Sequence, residues 1–380
     1  MQFSKKLIPL AGAVALMAAG PSSAQEVVRI GHVAPISGPS AHLGKDNENG
    51  ARMAIEELNA KGVTIGGKKV KFELLSEDDA ADPKQGTAAA QKLVDAGVQG
   101  VIGHLNSGTT IPASRIYHNA GIPQISPSAT NPRYTKQGFP GAFRVVANDS
   151  QLGGTLGRYA AEQLKAKTAA VIDDRTAYGQ GVAQEFMKGA KSKGIQIVSQ
   201  QYTNDKATDF NAILTAIKAR KPDVIFFGGM DSVAGPMLRQ MKALGIDAKF
   251  MGGDGACTGA MGRLAGDALG NDKVFCAEAG GVDESDKAGM EAFRAAYKKR
   301  FGADVLLYAP YVYDAVMVMA QAMERAGSSD PAKYLPELKK TNYKGVTGPI
   351  VFDEFGDVKN AALTLYTYRN GQREQLAVVR

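Results

Sequence analysis

The chain has 380 residues, 44% hydrophobic and 22% charged, and its 45 Lys and Arg against 38 Asp and Glu give a formal net charge of +7. That length admits two domains of roughly 150 residues each. The basic residues are scattered and Trp is absent, which excludes a base-stacking nucleic-acid surface; the densest basic runs, at 68–71 and 298–300, read as solvated faces.

The N-terminus comes first. Lys5 and Lys6 precede an apolar run from Leu7 to Ala19, and small residues stand at Ser22-Ser23-Ala24. This pattern predicts a secretory signal peptide cleaved after Ala24. An uncleaved anchor is the alternative, for which the run is short. No Cys lies near the cleavage point, so a lipoprotein is not expected. No later segment reaches 18 uninterrupted apolar residues, so the remaining chain is expected to be soluble and exported.

From there the pattern alternates. "VVRIGHVAP" has strand length, and Gly44 to Asn59 carries Ala51, Ala54, Ile55 and Leu58 on one helical face. "VKFELLS" is the next strand. Pro83 to Ala96 is a helix, with Asp82 at its N-cap and Pro83 at its first position. "VQGVIG" and "GIPQIS" are further strands. The rhythm restarts after "FRVVAND", with helices at 151–165, 179–193, 209–219 and 232–244 between the strands "AAVID", "IQIVSQ", "DVIFFG" and "KFMGG". Strand–helix alternation of this kind means βαβ units and parallel sheets. Two long helices, Asp286–Phe301 and Tyr308–Ala326, and a β-rich tail from Gly348 follow; the tail is expected to supplement both sheets. The fold class is therefore α/β with two lobes, each a doubly wound, mostly parallel sheet. Ligands of such folds sit at the carboxyl ends of the strands.

Two cysteines, Cys257 and Cys276, remain. An even count in an exported chain favours a disulfide over two buried thiols. So short a loop would be worth about 3 kcal/mol in the chain-entropy model.

Enzyme signatures fail one by one. Gly62 to Lys68 has the spacing of a nucleotide-binding loop, but Lys69 stands where Ser or Thr should hold magnesium, so a hairpin turn is expected. "GDGACTG" spaces its last glycine wrongly for a dinucleotide fingerprint. Ser107 lacks the elbow of a hydrolase nucleophile. His32, His42, His104 and His118 show no metal-ligand spacing and read as surface or loop histidines. The acidic run "SEDDAADP" lacks calcium-loop alternation. No metal or cofactor is expected.

What remains is a set of strand-end loops. Gly103 to Thr110 follows one strand with Ser107, Thr109 and Thr110, in a form suited to an anion. Ser126 to Thr130 follows the adjacent strand. The second lobe offers Tyr178, Met230 and Asp254 at corresponding places. Hydroxyls and N–H groups suit a carboxylate, and one acid suits an ammonium. The structural alternatives are an N-cap at Ser107, a loop hydrogen bond at Thr130, packing at Tyr178 and a helix cap at Asp254.

"GHLNSGTTIPAS", "ISPSATNP", "AYGQG" and "FMGGDG" resemble the leucine/isoleucine/valine-binding proteins, the periplasmic receptors of branched-chain amino acid ABC transporters. "DDAADPKQ" and "GPIVFDEFGD" extend the resemblance along nearly the whole chain. It implies a type I periplasmic binding fold with three hinge crossings: lobe 1 at 25–149 and 279–352, lobe 2 at 150–278 and 353–380. It implies that Ser107 and Thr130 bind the ligand's charged ends through hydroxyls, Leu105 and Ser128 through the main chain, and Asp254 the ammonium. Tyr178 closes over the ligand. Leu43 and Met230 stand where the relatives carry tyrosines, and Asp254 stands where the aliphatic binders carry glutamate. Ala81 and Asn106 replace the family's first-lobe disulfide. The expected function is a monomeric periplasmic receptor, not an enzyme, that delivers a branched-chain or other apolar amino acid to a membrane-embedded permease. The competing readings are a sensor or binder of another small ligand (an amide, urea or aromatic acid) and a hydrolase using Ser107.

Overall fold

The structure, a computed structural model, describes Met1 and residues 25–380; the leader and the cleavage after Ala24 lie outside the described residues. The first sheet is built from β1 (Glu26–Ala34), β2 (Thr64–Ile65), β3 (Lys68–Asp78), β4 (Gly100–Gly103), β5 (Gln124–Ser126) and β6 (Ala142–Arg144). Its order is β2-β3-β1-β4-β5-β6, parallel except for the β2–β3 hairpin. That hairpin is the segment with nucleotide-loop spacing, so its glycines serve a turn. Helix α1 (Ala41–Lys61) covers one face of the sheet, and α2 (Pro83–Asp95) with α3 (Ser107–Asn119) covers the other. Strand alternation divides the core accordingly: Val28 and Ile30 pack with the α1 side, Val33 with the α2–α3 side. Asp82 caps α2, accepting the N–H groups of Lys84 and Gln85 as its sequence predicts.

The second sheet begins after α4 (Asp149–Glu162). It contains β7 (Thr168–Asp173), β8 (Gln196–Tyr202), β9 (Val224–Gly228), β10 (Lys249–Gly252) and β11 (Val274–Glu278). Helices α5 (Ala177–Ser192), α6 (Asn211–Lys218), α7 (Asp231–Ala243) and the short α8 (Met261–Ala265) connect them. Ile225 and Phe227 face the core of α6 and α7, while Val224 and Phe226 face that of α4 and α5. Helices α4 and α5 lie backbone to backbone. A Cβ at Gly157 would stand 2.4 Å from Ala190 N and Phe186 O, which makes glycine a packing requirement there.

The chain leaves the first sheet after Arg144 and returns after Glu278. It then forms α9 (Lys287–Phe301) and α10 (Ala309–Ala326), both against α1, and α11 (Pro331–Lys339). The tail departs from expectation. β12 (Asn342–Gly345) and β13 (Gly348–Val351) form a separate two-stranded sheet. Only β14 (Leu363–Arg369) and β15 (Gln372–Val379) extend a main sheet, antiparallel at the edge of the second, whose order is β15-β14-β11-β10-β9-β7-β8. Cys257 and Cys276 are bridged, tying the turn after β10 to β11. Among the described residues no helix is long and apolar enough to cross a membrane.

Candidate functional site

Every predicted polar contact except Tyr178 lies directly after the carboxyl end of a parallel strand, and Tyr178 opens the helix after one. The β4 loop delivers Leu105 and Ser107, and the adjacent β5 loop delivers Ser128 and Thr130. In the second lobe, β7 leads to Tyr178, β9 to Met230 and β10 to Asp254; these strands are neighbours in the order β10-β9-β7.

The first-lobe loops are held from behind. The Ser126 hydroxyl donates to His104 O at 3.0 Å and accepts the Ala129 N–H at 2.9 Å. The Ser107 hydroxyl accepts the Asn131 N–H at 3.2 Å and caps no helix; Asn106 holds the N-cap position. No hydrogen bond joins Ser107 to a histidine among the described residues. Arg144, fully buried, grips the second loop. Its Nη1 donates to Ala129 O and Asn131 O at 2.9 and 3.0 Å, its Nη2 to Thr135 Oγ1 at 2.9 Å, and Nε and Nη2 to Asp357 Oδ1. Burial alone would raise Asp357, and the Arg144 guanidinium holds it below the usual carboxylate range.

The two lobes meet here. Asn131 Nδ2 donates to Ala177 O at 2.6 Å. Asp254, 1% exposed, accepts the Tyr178 hydroxyl at 2.8 Å and the Tyr308 hydroxyl at 2.9 Å. Tyr308 comes from the segment before α10 and was not predicted. Asp46 of α1 fixes that segment by accepting the N–H groups of Leu306, Leu307, Tyr308 and Ala309. Burial pushes Asp254 up to about 6, although both phenols favour its charged form. Burial and the Asp254 charge push both phenols well above the ordinary tyrosine value, so they remain donors. A Cβ at Gly253 would stand 2.6 Å from the Tyr178 hydroxyl, so this glycine gives Tyr178 its place.

A second unpredicted acid lies alongside. Asp149, the first residue of α4, is fully buried, and its N–H donates to Thr130 O at 2.8 Å. Burial pushes its carboxyl up to about 8. The nearby Thr130 hydroxyl softens the rise, and the Asp254 charge adds to it. Neither Asp149 oxygen has a partner in hydrogen-bond geometry, and the same holds for the hydroxyls of Ser128 and Thr130. Native proteins rarely leave so many buried polar atoms unpaired in one place.

Met230 and Tyr178 line an interlobe cavity of about 420 Å³, with Asn106 and Gly108 from the first lobe. Ser107, Ser128, Thr130 and Asp254 are almost fully buried and do not line it. Leu43, Leu105, Tyr178 and Met230 belong to one contiguous apolar cluster. The histidines depart in part from expectation: His104 lies in the β4–α3 loop but is fully buried, and His32, on β1, is fully buried as well. His104 binds Asp79 and the Tyr117 hydroxyl, and His32 binds Asn47. No group of three His, Cys, Asp or Glu among the described residues has the arrangement of a metal site.

Residues 27–372 match the periplasmic binding protein family. The chain belongs to that family. This periplasmic binding protein is 37% identical, over 91% of both chains, to the leucine-, isoleucine-, valine-, threonine- and alanine-binding protein of Pseudomonas aeruginosa. It is also 37% identical to the leucine-specific-binding protein of Salmonella typhimurium, covering 92% of this chain and 93% of that one. Its fold superposes with a TM-score of 0.84 on a branched-chain amino acid transporter substrate binding protein of Streptococcus pneumoniae solved with isoleucine. That match has 29% identity and covers 93% and 99% of the two chains. The two-lobed α/β architecture is that of these relatives, which are solute-binding proteins.

Proposed function

We propose that this periplasmic binding protein captures a branched-chain or other apolar amino acid between its lobes and delivers it, as a monomer in the periplasm, to an ABC permease. The observation that carries this reading is one cluster of buried polar groups of two kinds. Asp149 has no hydrogen-bond partner and Asp254 only two phenols, so neither acid has a cation, and near them lie the unpaired hydroxyls of Ser128 and Thr130. Two acids call for an ammonium, and hydroxyls with loop N–H groups call for a carboxylate. A zwitterion supplies both. In this assignment Ser107, Thr130 and the main chain at Leu105 and Ser128 hold the carboxylate, and Asp254 and Asp149 hold the ammonium. Tyr178 and Tyr308 orient Asp254. Leu43 and Met230 make the side-chain end apolar and adaptable. The relatives named for binding leucine, isoleucine and valine support the ligand class.

The lobes divide at 25–149 with 279–352 and 150–278 with 353–380. The three passages between them act as a hinge that closes on the ligand. Isothermal titration tests the reading with four probes: leucine, its 2-oxo acid without the ammonium, its decarboxylated amine, and benzoate. Saturable binding of leucine alone is expected. Tight binding of the oxo acid, or of benzoate as an aromatic acid, would overturn the amino-acid assignment.

A further inference from the structure

His42, near the start of α1, reaches across to the second lobe. Its Nε2 lies 2.9 Å from Asp231 Oδ2 and 3.1 Å from Oδ1. Asp231 opens α7 and is fully buried; its other partner is the Thr258 hydroxyl at 2.5 Å, within its own lobe. His42 keeps about a fifth of its side chain exposed. The two residues are 189 positions apart and belong to different sheets, so parting the lobes breaks this contact. It leaves Asp231 with Thr258.

We infer that His42 and Asp231 form a proton-dependent latch between the lobes, making His42 a positioning residue for ligand capture. A neutral imidazole offers the Asp231 carboxylate a hydrogen bond alone. A protonated one adds the attraction of opposite charges, in a setting partly shielded from water. Proton uptake and closure therefore favour each other, and a ligand that binds the closed form shares in that coupling. Affinity rises as pH falls and the imidazole takes up its proton.

The surrounding groups are accounted for. Lys45 and Asp46 follow His42 on α1, and Asp46 is committed to the N–H groups before α10. His42 and Lys45 line a second, larger cavity of about 1200 Å³, whose other charged groups are Arg263 of α8, Glu278, Lys287, Glu291 and Arg294 of α9, Asp304 and Arg373. The phenols of Tyr308 and Tyr368 lie within electrostatic reach of Asp231 and stay neutral. Asp149 and Asp254 titrate in the opposite sense for ligand binding, since protonating them weakens an ammonium contact. They are common to wild type and a His42 variant, so they cancel in the comparison.

The test measures leucine affinity by titration calorimetry from pH 5.5 to 8.0 in wild type and His42→Gln. Gln keeps a neutral N–H donor. The wild-type to variant affinity ratio should grow by on the order of 10-fold between pH 8.0 and 5.5. Parallel pH profiles would overturn the latch. The choice of leucine rests on the amino-acid reading, so a second arm is independent of it: small-angle scattering of both ligand-free proteins over the same range. The wild type should become more compact at pH 5.5 and the variant should not. If leucine binds neither protein, the ligand reading fails, and the scattering comparison alone decides the latch; equal pH dependence of the two radii would refute it.

Discussion

Replacing Asp149 by Asn removes an ionisable carboxyl and keeps the shape. The carboxyl sits near a pKa of about 8 in the fold and near 3.9 in an unfolded chain. An acid whose folded value is raised stabilises the fold fully below the unfolded value and loses that contribution as pH rises toward the folded value. At pH 7 the wild type has lost about three units' worth, about 4 kcal/mol. Asn is held neutral at every pH. Ligand-free Asp149→Asn should therefore be about 2–4 kcal/mol more stable than wild type at pH 7, with the difference gone by about pH 4. Binding should move the other way. The wild type first gives up the Asp149 proton, which costs about 1.4 kcal/mol at pH 7, and then gains an ion contact of about 2–5 kcal/mol. The net loss in the variant is about 0.6–3.6 kcal/mol, roughly 3- to 400-fold in affinity. Calorimetry in buffers of different ionisation heat reads the proton directly. Wild type should release close to one proton per leucine at pH 7, and the variant almost none. Unchanged affinity with unchanged proton release in the variant would place the ammonium elsewhere and refute the reasoning.

The remaining predictions concern neighbouring parts of the site. Asp254→Asn should weaken leucine binding by about 2–5 kcal/mol, and Tyr308→Phe by about 1 kcal/mol through the freed Asp254 oxygen, both by calorimetry. Arg144→Gln leaves Asp357 buried without its guanidinium and should lower unfolding free energy by about 3–5 kcal/mol in denaturant titration. Reducing the Cys257–Cys276 bridge should lower stability by about 3 kcal/mol, and thiol titration of unfolded, unreduced protein should find no free thiol.

The alternation of strands and helices was legible because each segment's period reports its own burial. So were the Asp82 cap and the hairpin at Gly66–Gly67, which are local chemistry. The positions of Ser107, Thr130, Tyr178 and Asp254 followed from strand ends and the family resemblance; their ligand contacts remain the proposal above. Asp149 escaped notice because an acid in the first turn of a capped helix is ordinary in sequence, and only the fold reveals that it is buried against Thr130. Tyr308 was hidden in an irregular approach to a helix, and its use depends on an acid 54 positions away. His104 does lie in a loop, but its burial is not legible in sequence because its partners, Asp79 and Tyr117, come from other parts of the chain. The tail was misjudged for a related reason. Strand propensity marks β12 and β13 as extended but does not say which edge receives them.

Arg144 has a consequence for how affinity arises. The loop that carries Ser128 and Thr130 would, if free, lose backbone freedom on meeting a ligand, at roughly 1–2 kcal/mol per residue fixed. Four hydrogen-bond acceptors around one buried guanidinium remove that freedom when the chain folds. Through Asp357, which also accepts Asn148 Nδ2 at 3.0 Å, the same cluster reaches two of the passages between the lobes. In the proposed assignment, the loop that carries Ser128 and Thr130 thus meets its ligand already ordered. The ordering cost of capture then falls mainly on lobe motion, and variation in affinity among relatives that keep this cluster should trace to closure and to other side chains of the site.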